Sequence, residues 1–283
     1  MKTTPRVLLD DLVFPEGPRW HEGRLYFSDM HAKEVVAVGL DGKRERICEV
    51  PHCPSGIGFT PGGHMLVVSM EDHKVLELHG RELRVHADIG DAAPFHLNDM
   101  VVDARGRAYV GNFGFDLYGG ARPAETNLHL VDIDGRVREV ANDLGFPNGT
   151  VITPDGGTLI LAESFAKRLT AFDILLDGSL ANRRVWATLD IYPDGICLDA
   201  EGCVWAASPL GKGGFLRVAE GGEIRDRIDL DNGFGFACML GGPERRHLFL
   251  LEAVLSDPGQ ISGKRGNGRV RVVEVDVPGA GLP

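Results

Sequence analysis

Five polar side chains stand at equivalent places in five related stretches of the chain, each just ahead of a short apolar run. They are Glu16 in Pro15-Glu16-Gly17, Ser55 in Pro54-Ser55-Gly56, Asn98 in Leu97-Asn98-Asp99, Asn148 in Pro147-Asn148-Gly149 and Asp194 in Pro193-Asp194-Gly195. Glu16, Asn148 and Asp194 together offer two carboxylates and an amide oxygen, hard donors that suit Ca²⁺, Mg²⁺ or Mn²⁺. No His or Cys shares the position, which makes zinc a less natural occupant. Three protein ligands would leave coordination positions for water and substrate, as a catalytic metal requires. Without a cation, the Glu and Asp would repel each other and raise one pKa. Asn and Asp ahead of a strand also cap turns or hold water, so repeat position alone leaves both readings open.

Residues so far apart in sequence can share a site only if the fold brings equivalent positions to one place. A sixth, degenerate copy begins near Gly235 and Phe236, and the six copies are spaced by about 39 to 50 residues, near the period of a four-stranded propeller blade. Each copy continues past a Gly-containing turn into a second apolar run, as at Leu159-Ile160-Leu161-Ala162, and then into two further strand-like runs. Asp41-Gly42, Asp134-Gly135 and Asp177-Gly178 lie between such runs, where a hairpin turn needs positive φ. The 38 Gly and 16 Pro interrupt any helical apolar period before three turns are complete.

The expected architecture is therefore all-β, a single six-bladed β-propeller of four-stranded blades over residues 1–283. Residues 269–275 read as the third strand of the last copy, and residues 6–9 at the other end supply a fourth, so the N-terminal strand should complete the last blade and close the ring. In a propeller the first strand of each blade lines the channel, which brings the five polar positions together at one end. Of the longer loops, 113–127 is expected to contribute to a lid, and 257–268 to be a solvated hairpin loop.

A net charge of −11 without a Lys/Arg cluster argues against a nucleic-acid partner. No apolar run approaches the roughly 20 residues of a membrane helix, and no signal-peptide core follows Lys2 and Arg6. The expectation is a cytoplasmic protein, monomer or homodimer, acting on a small molecule. Cys48, Cys53, Cys197, Cys203 and Cys238 lack CxxC spacing and fit reduced thiols. There is no GxSxG elbow, Walker A sequence or GxGxxG between strand and helix. Asp132-x-Asp134-Gly135 is a hairpin turn rather than a calcium loop, since Arg136 takes the next ligand position. The histidines other than His96 have no HxH or HExxH spacing and read as surface or strand residues, and Glu163 reads as a packing or turn-bonding carboxylate.

Four stretches in order, Pro15-Glu16-Gly17-Pro18-x-Trp20, Leu97-Asn98-Asp99-x-x-Val102-Asp103-x-x-Gly106, Pro147-Asn148-Gly149 and Pro193-Asp194-Gly195-x-x-x-Asp199-x-x-Gly202-x-x-Trp205, carry a resemblance over nearly the whole chain. They resemble the gluconolactonase, regucalcin (senescence marker protein) and luciferin-regenerating enzyme family. The resemblance implies a divalent-metal-dependent lactone hydrolase with Glu16, Asn148 and Asp194 as metal ligands. It implies calcium as the usual ion, with Mg²⁺, Mn²⁺ or Zn²⁺ as alternatives, Asn98 beside the metal contacting substrate or water, and Asp194 as general base.

The chain departs from the sugar-lactonase pattern at His96, where those members carry an Arg two residues before the Asn. Phe95, Phe113, Phe115, Tyr118, Phe146 and Tyr192 make the expected rim more aromatic. The expected substrate contacts are Asn98, His96, Phe113, Tyr118 and Tyr192, and the expected substrate is a lactone less polar than a sugar acid lactone. Alternatives are a metal-dependent esterase or phosphotriesterase, a lyase or isomerase on the same site, and a non-catalytic calcium-binding propeller.

Overall fold

Among the described residues, short apolar runs cut by turn residues give 24 strands in six four-stranded antiparallel sheets. The computed structural model describes residues 4–210, 213–230, 233–254 and 265–282. Two 3₁₀ turns, Met30–Ala32 and Gly90–Ala92, are the helical elements among the described residues, and no helix there is long and apolar enough to cross a membrane. The innermost strands of blades 1 to 6 are Pro15–His21, Pro54–Phe59, Leu97–Val102, Pro147–Ile152, Ile196–Leu198 and Phe234–Gly241. Each packs against its neighbours around the ring.

Burial follows from that placement. Leu97–Val102 and Pro147–Ile152 are buried at every residue because blades flank them on both sides. Outer strands such as Glu82–Asp88 are largely solvent-facing. The core is accordingly divided among blade interfaces: Val151, Ile160, Leu169 and Trp186 of blade 4 meet Ile196, Leu198, Val204 and Leu216 of blade 5. Burying one such side chain fully stabilises by about 1.5–3 kcal/mol.

The ring closes as the sequence implies. Arg6–Leu12 pairs antiparallel with Gly268–Glu274, which is joined in turn to His247–Ala253 and the inner strand of blade 6. A second closure was not anticipated. Residues 278–282 run across the end of the channel where the inner strands finish, with isolated bridges Asp199↔Gly279 and Ile152↔Leu282. Backbone hydrogen bonds fix the segment: Gly279 N to Arg245 O at 2.8 Å, Ala280 N to Leu198 O at 2.9 Å, and Leu282 N to Ile152 O at 2.9 Å. One end of the channel is thus tied across three blades. Residues 255–264 lie outside the described residues, and with them most of loop 257–268. All five cysteines are free thiols.

Candidate metal and active site at the channel mouth

The opposite end of the channel is where the inner strands begin, and it is built by a device repeated from blade to blade. The register between first and second strands shifts at Glu16/Arg19, Pro54/Ile57, Leu97/Met100, Pro147/Thr150 and Gly235/Ala237. A bulge re-aims a side chain; in blades 1 to 4 it falls at or beside the polar position, in blade 6 it falls at Phe236, and the pairing of blade 5 after Asp194 carries no shift. The glycines that follow let adjacent strands approach. A Cβ on Gly56 would lie 2.3 Å from Met100 N, one on Gly149 2.5 Å from Ile196 N, and one on Gly195 2.5 Å from the Ala237 Cβ. Any side chain there would push the blades apart.

Hydrogen bonds at these positions tie neighbouring blades together. Ser28 Oγ of blade 1 donates to Ser55 O at 2.6 Å, and Asn98 Nδ2 of blade 3 donates to Pro147 O at 3.1 Å. Asn148 Nδ2 donates to Ser164 Oγ at 3.3 Å, and Ser164 Oγ donates to Pro193 O at 2.7 Å, beside Asp194. Asn98, Asn148 and Asp194 are buried and Glu16 half-buried, its Oε2 accepting from Gly17 N at 3.0 Å.

Two further charged residues join the cluster. Asp99 stands where four other copies have Gly, and its Oδ1 accepts from Arg19 Nη2 at 3.0 Å and from Met100 N at 2.8 Å. Arg19 is buried, donates also to Pro18 O and Met100 O, and leaves its Nε without a partner. Asp99 carried a visible signal, a carboxylate at a glycine position. Arg19 carried none, because its partner is 80 residues away and meets it only across the ring.

Three carboxylates therefore face one guanidinium in a buried place. Burial, then the charges of Asp194 and Asp99, push Glu16 well above its ordinary value. Burial, then Asp99, push Asp194 up to about 8, a rise that hydrogen bonds from Asn148 and Gly195 only partly offset. Burial raises Asp99 as well, against the pull of Arg19. The donor set is all oxygen and over-supplied with negative charge, so it fits a hard divalent cation.

The remaining expected contacts form an aromatic arc over blades 3 to 5. His96 stacks on Phe95 at 4.2 Å and lies 6.1 Å from Phe113 and 6.3 Å from Tyr118. Phe146 packs on Phe113 at 4.7 Å and on Phe165 at 5.1 Å, and Phe165 meets Tyr192 at 6.2 Å. Phe113 is buried behind Tyr118 and His96, whereas Tyr118 is 49% and Phe165 38% exposed. Phe165 was not among the sequence candidates; it lies two residues past Glu163, where no repeat signal marks it. Tyr192 is half-buried with Lys167 Nζ 4.5 Å above its ring.

Burial lowers the His96 pKa, so its imidazole is neutral at pH 7. Crowding at the Tyr118 hydroxyl, and then nearby negative groups that include Glu16 and Asp194, raises the phenol. Tyr118 is thus within electrostatic reach of the cluster. Within loop 113–127, Gly119 N donates to Asp116 Oδ1 at 2.7 Å and Ala121 N to Asp116 O at 2.9 Å.

The sequence model of the family described as SMP-30/Gluconolactonase/LRE-like region matches residues 14–254. The chain is similar to a pentonolactonase of Haloferax volcanii, 27% identical over 94% of this chain and 89% of that protein. It is similar also to a 6-deoxy-6-sulfogluconolactonase of Pseudomonas putida, 24% identical over 100% of this chain and 98% of that one. In fold it matches the crystal structure of a calcium-binding regucalcin from Agrobacterium tumefaciens, with a TM-score of 0.81 at 20% identity over 100% of this chain and 97% of the other.

Proposed function

The chain belongs to the SMP-30/gluconolactonase/LRE-like family, and from that premise we propose that its channel mouth hydrolyses lactones with the help of one divalent metal ion. The observation that carries the reading is the pair of crowded carboxylates, half-buried Glu16 and buried Asp194, both driven upward with a single guanidinium to balance three acids. Similarity to lactonases by name supports the reaction class.

Glu16, Asn148 and Asp194 would hold the ion, calcium in the first instance, which supplies positive charge to a substrate carbonyl oxygen and balances the paired acids. Asp194 is the general base. Near 8 it would hold its proton at neutral pH, so it needs neighbouring positive charge to work as a carboxylate, and it then takes a proton from the attacking water. Asn98, tied through Nδ2 to Pro147 O, keeps its amide oxygen free to orient that water or the substrate. Arg19 fixes Asp99, and Asp99 in turn keeps negative charge close to Asp194 and Glu16.

His96, neutral and stacked on Phe95, offers one N–H donor and one acceptor nitrogen where an Arg would offer a charged fork of donors. Together with Tyr118, Phe165 and Tyr192 it makes one wall apolar. The substrate is a lactone with an apolar or aromatic substituent in preference to a polyhydroxylated one. The test is a panel of sugar-acid, alkyl and aryl lactones assayed with calcium and after verified metal removal. Hydrolysis that needs the ion and favours the apolar members is expected; equal rates with and without metal would sink the mechanism. Preference for sugar lactones would sink the substrate assignment alone.

A further inference from the structure

The channel mouth is not the only place where metal-binding side chains converge. At the opposite end of blade 2, His64 sits in the turn between first and second strands, while Glu77 and His79 lie in the third strand, Lys74–His79, which runs toward the same end. One donor atom from each of His64, Glu77 and His79 lies within 4.8 Å of the other two. His64 Nδ1 is 2.7 Å from Glu77 Oε1, and His79 Nε2 is 3.1 Å from Glu77 Oε2. His86 approaches behind them, its Nδ1 3.8 Å from Glu77 Oε2.

We propose that His64, Glu77 and His79 form a second divalent-metal site, of zinc class, separate from the channel mouth. The ligand chemistry separates the two. Two imidazoles and one carboxylate are the donors of zinc and the later first-row ions, whereas the mouth offers oxygen alone. Zinc–ligand bonds of about 2.0–2.2 Å place tetrahedral ligand atoms roughly 3.3 Å apart. The side chains need only small rotations to reach that spacing, and they are free to make them. His64 is 52% and His79 34% exposed, and the two rings meet edge to face at 5.9 Å.

The backbone beneath is fixed: His64 N donates to Thr60 Oγ1 at 3.1 Å, and Thr60 N donates to His64 O at 2.9 Å. Burial works against the charge of Glu77, but hydrogen bonds from His64 and His79 outweigh it and hold the carboxyl below its ordinary value. His86 Nδ1, 3.8 Å from Glu77 Oε2, stands just beyond hydrogen-bond distance and would close on the carboxylate as an outer partner when the ion binds, a position that tunes affinity.

The fourth position faces an open groove lined by His21, Tyr26 and Phe59, with His21 stacked on Phe59 at 3.8 Å, so water completes the shell. An ion here clamps the 60–64 turn to the third strand. Because it binds the folded chain and not the unfolded one, it stabilises by mass action.

The experiment is a zinc titration of metal-stripped protein by calorimetry, with excess calcium present to fill the mouth. One zinc per chain is expected. His64→Ala/His79→Ala should lose that zinc while remaining folded, both side chains being at the surface. Glu16→Gln/Asp194→Asn should retain it, and His86→Ala should bind about tenfold more weakly. As an independent reading, copper(II) bound in place of zinc should give nitrogen hyperfine splitting in its electron paramagnetic resonance spectrum. The proposal is overturned if zinc binds the double histidine variant as it binds the parent, or if the copper spectrum carries oxygen ligation alone.

Discussion

Glu163 and Asp194 are both buried carboxylates in neighbouring blades, and they are treated in opposite ways. Glu163, at the end of a second strand, accepts from Arg168 Nε at 2.8 Å, Arg168 Nη2 at 3.0 Å, Gly145 N at 2.8 Å and the Thr170 hydroxyl. Burial would raise its pKa, but those donors outweigh burial and lower it. Glu252, in the equivalent strand of blade 6, is likewise paired with cations, Arg269 and Arg271 both meeting its Oε1. Asp194 has no cationic partner of its own among the described residues and is driven up to about 8. The fold neutralises its structural acids from within and leaves the acids at the mouth to be neutralised by something that arrives.

Exchanging what each carboxylate does tests that division most severely. Asp194→Asn is expected to reduce lactone hydrolysis by about 10²–10⁴, the usual contribution of a positioned base, without lowering the melting temperature of the metal-free protein. Glu163→Ala should do the reverse. It strands the Arg168 guanidinium and the Gly145 amide, which costs about 3 kcal/mol, read from urea denaturation, while the rate at permissive temperature stays near that of the parent. If Asp194→Asn destabilised the metal-free fold as much as Glu163→Ala does, the contrast would fail.

A smaller effect sharpens the same contrast through pH. The folded state raises the Asp194 pKa from 3.8 to about 8. In the metal-free protein it therefore favours folding below pH about 4 and loses that advantage as pH rises toward 8. Glu163 is depressed, so its contribution is present above its unfolded value of 4.5 and is lost only as pH falls through its lower folded value. His31 and His129, both lowered by burial, add an opposite slope near neutrality. The quantity to measure is thus the stability of the parent minus that of Asp194→Asn. It should fall between pH 5 and 8 without metal and be flat with saturating calcium. A difference that is flat in both conditions would remove the case for an unbalanced carboxylate.

The same contrast explains what the sequence could tell. Repetition made the blades legible, because Pro-x-Gly and its turn recur wherever an inner strand begins, and the strand at residues 6–9 found its place by subtraction. The candidate metal ligands Glu16, Asn148 and Asp194 were singled out for the same reason: two acids and an amide vary between a Pro and a Gly that do not. Nothing comparable marks contacts made outside the strand repeat. Arg19 meets Asp99 from another blade, residues 278–282 tie off the far end without a strand pattern, and His64 reaches Glu77 and His79 across a hairpin where no HxH spacing could announce them. The aromatic residues near residue 113 were legible as types but not as depths. Phe113 is buried while Tyr118, five residues on, is half open.

The least effect is expected where the mouth meets its aromatic wall. His96 is half-buried, kept neutral by that burial, and stacked on Phe95. His96→Arg replaces a neutral ring with a charged fork that favours hydroxyl and carboxylate oxygens over hydrocarbon. It lies outside both the carboxylate cluster and the Glu163 network, so melting temperature and metal affinity should move little. The ratio of kcat/KM for a sugar-acid lactone to that for an alkyl lactone should rise about tenfold, the scale on which one pocket contact discriminates. The change should lie mainly in KM, because the group that takes the proton is untouched. A lower kcat for both substrates with an unchanged ratio would instead make His96 part of the acid–base apparatus, and the division between charged centre and apolar wall would have to be redrawn around it.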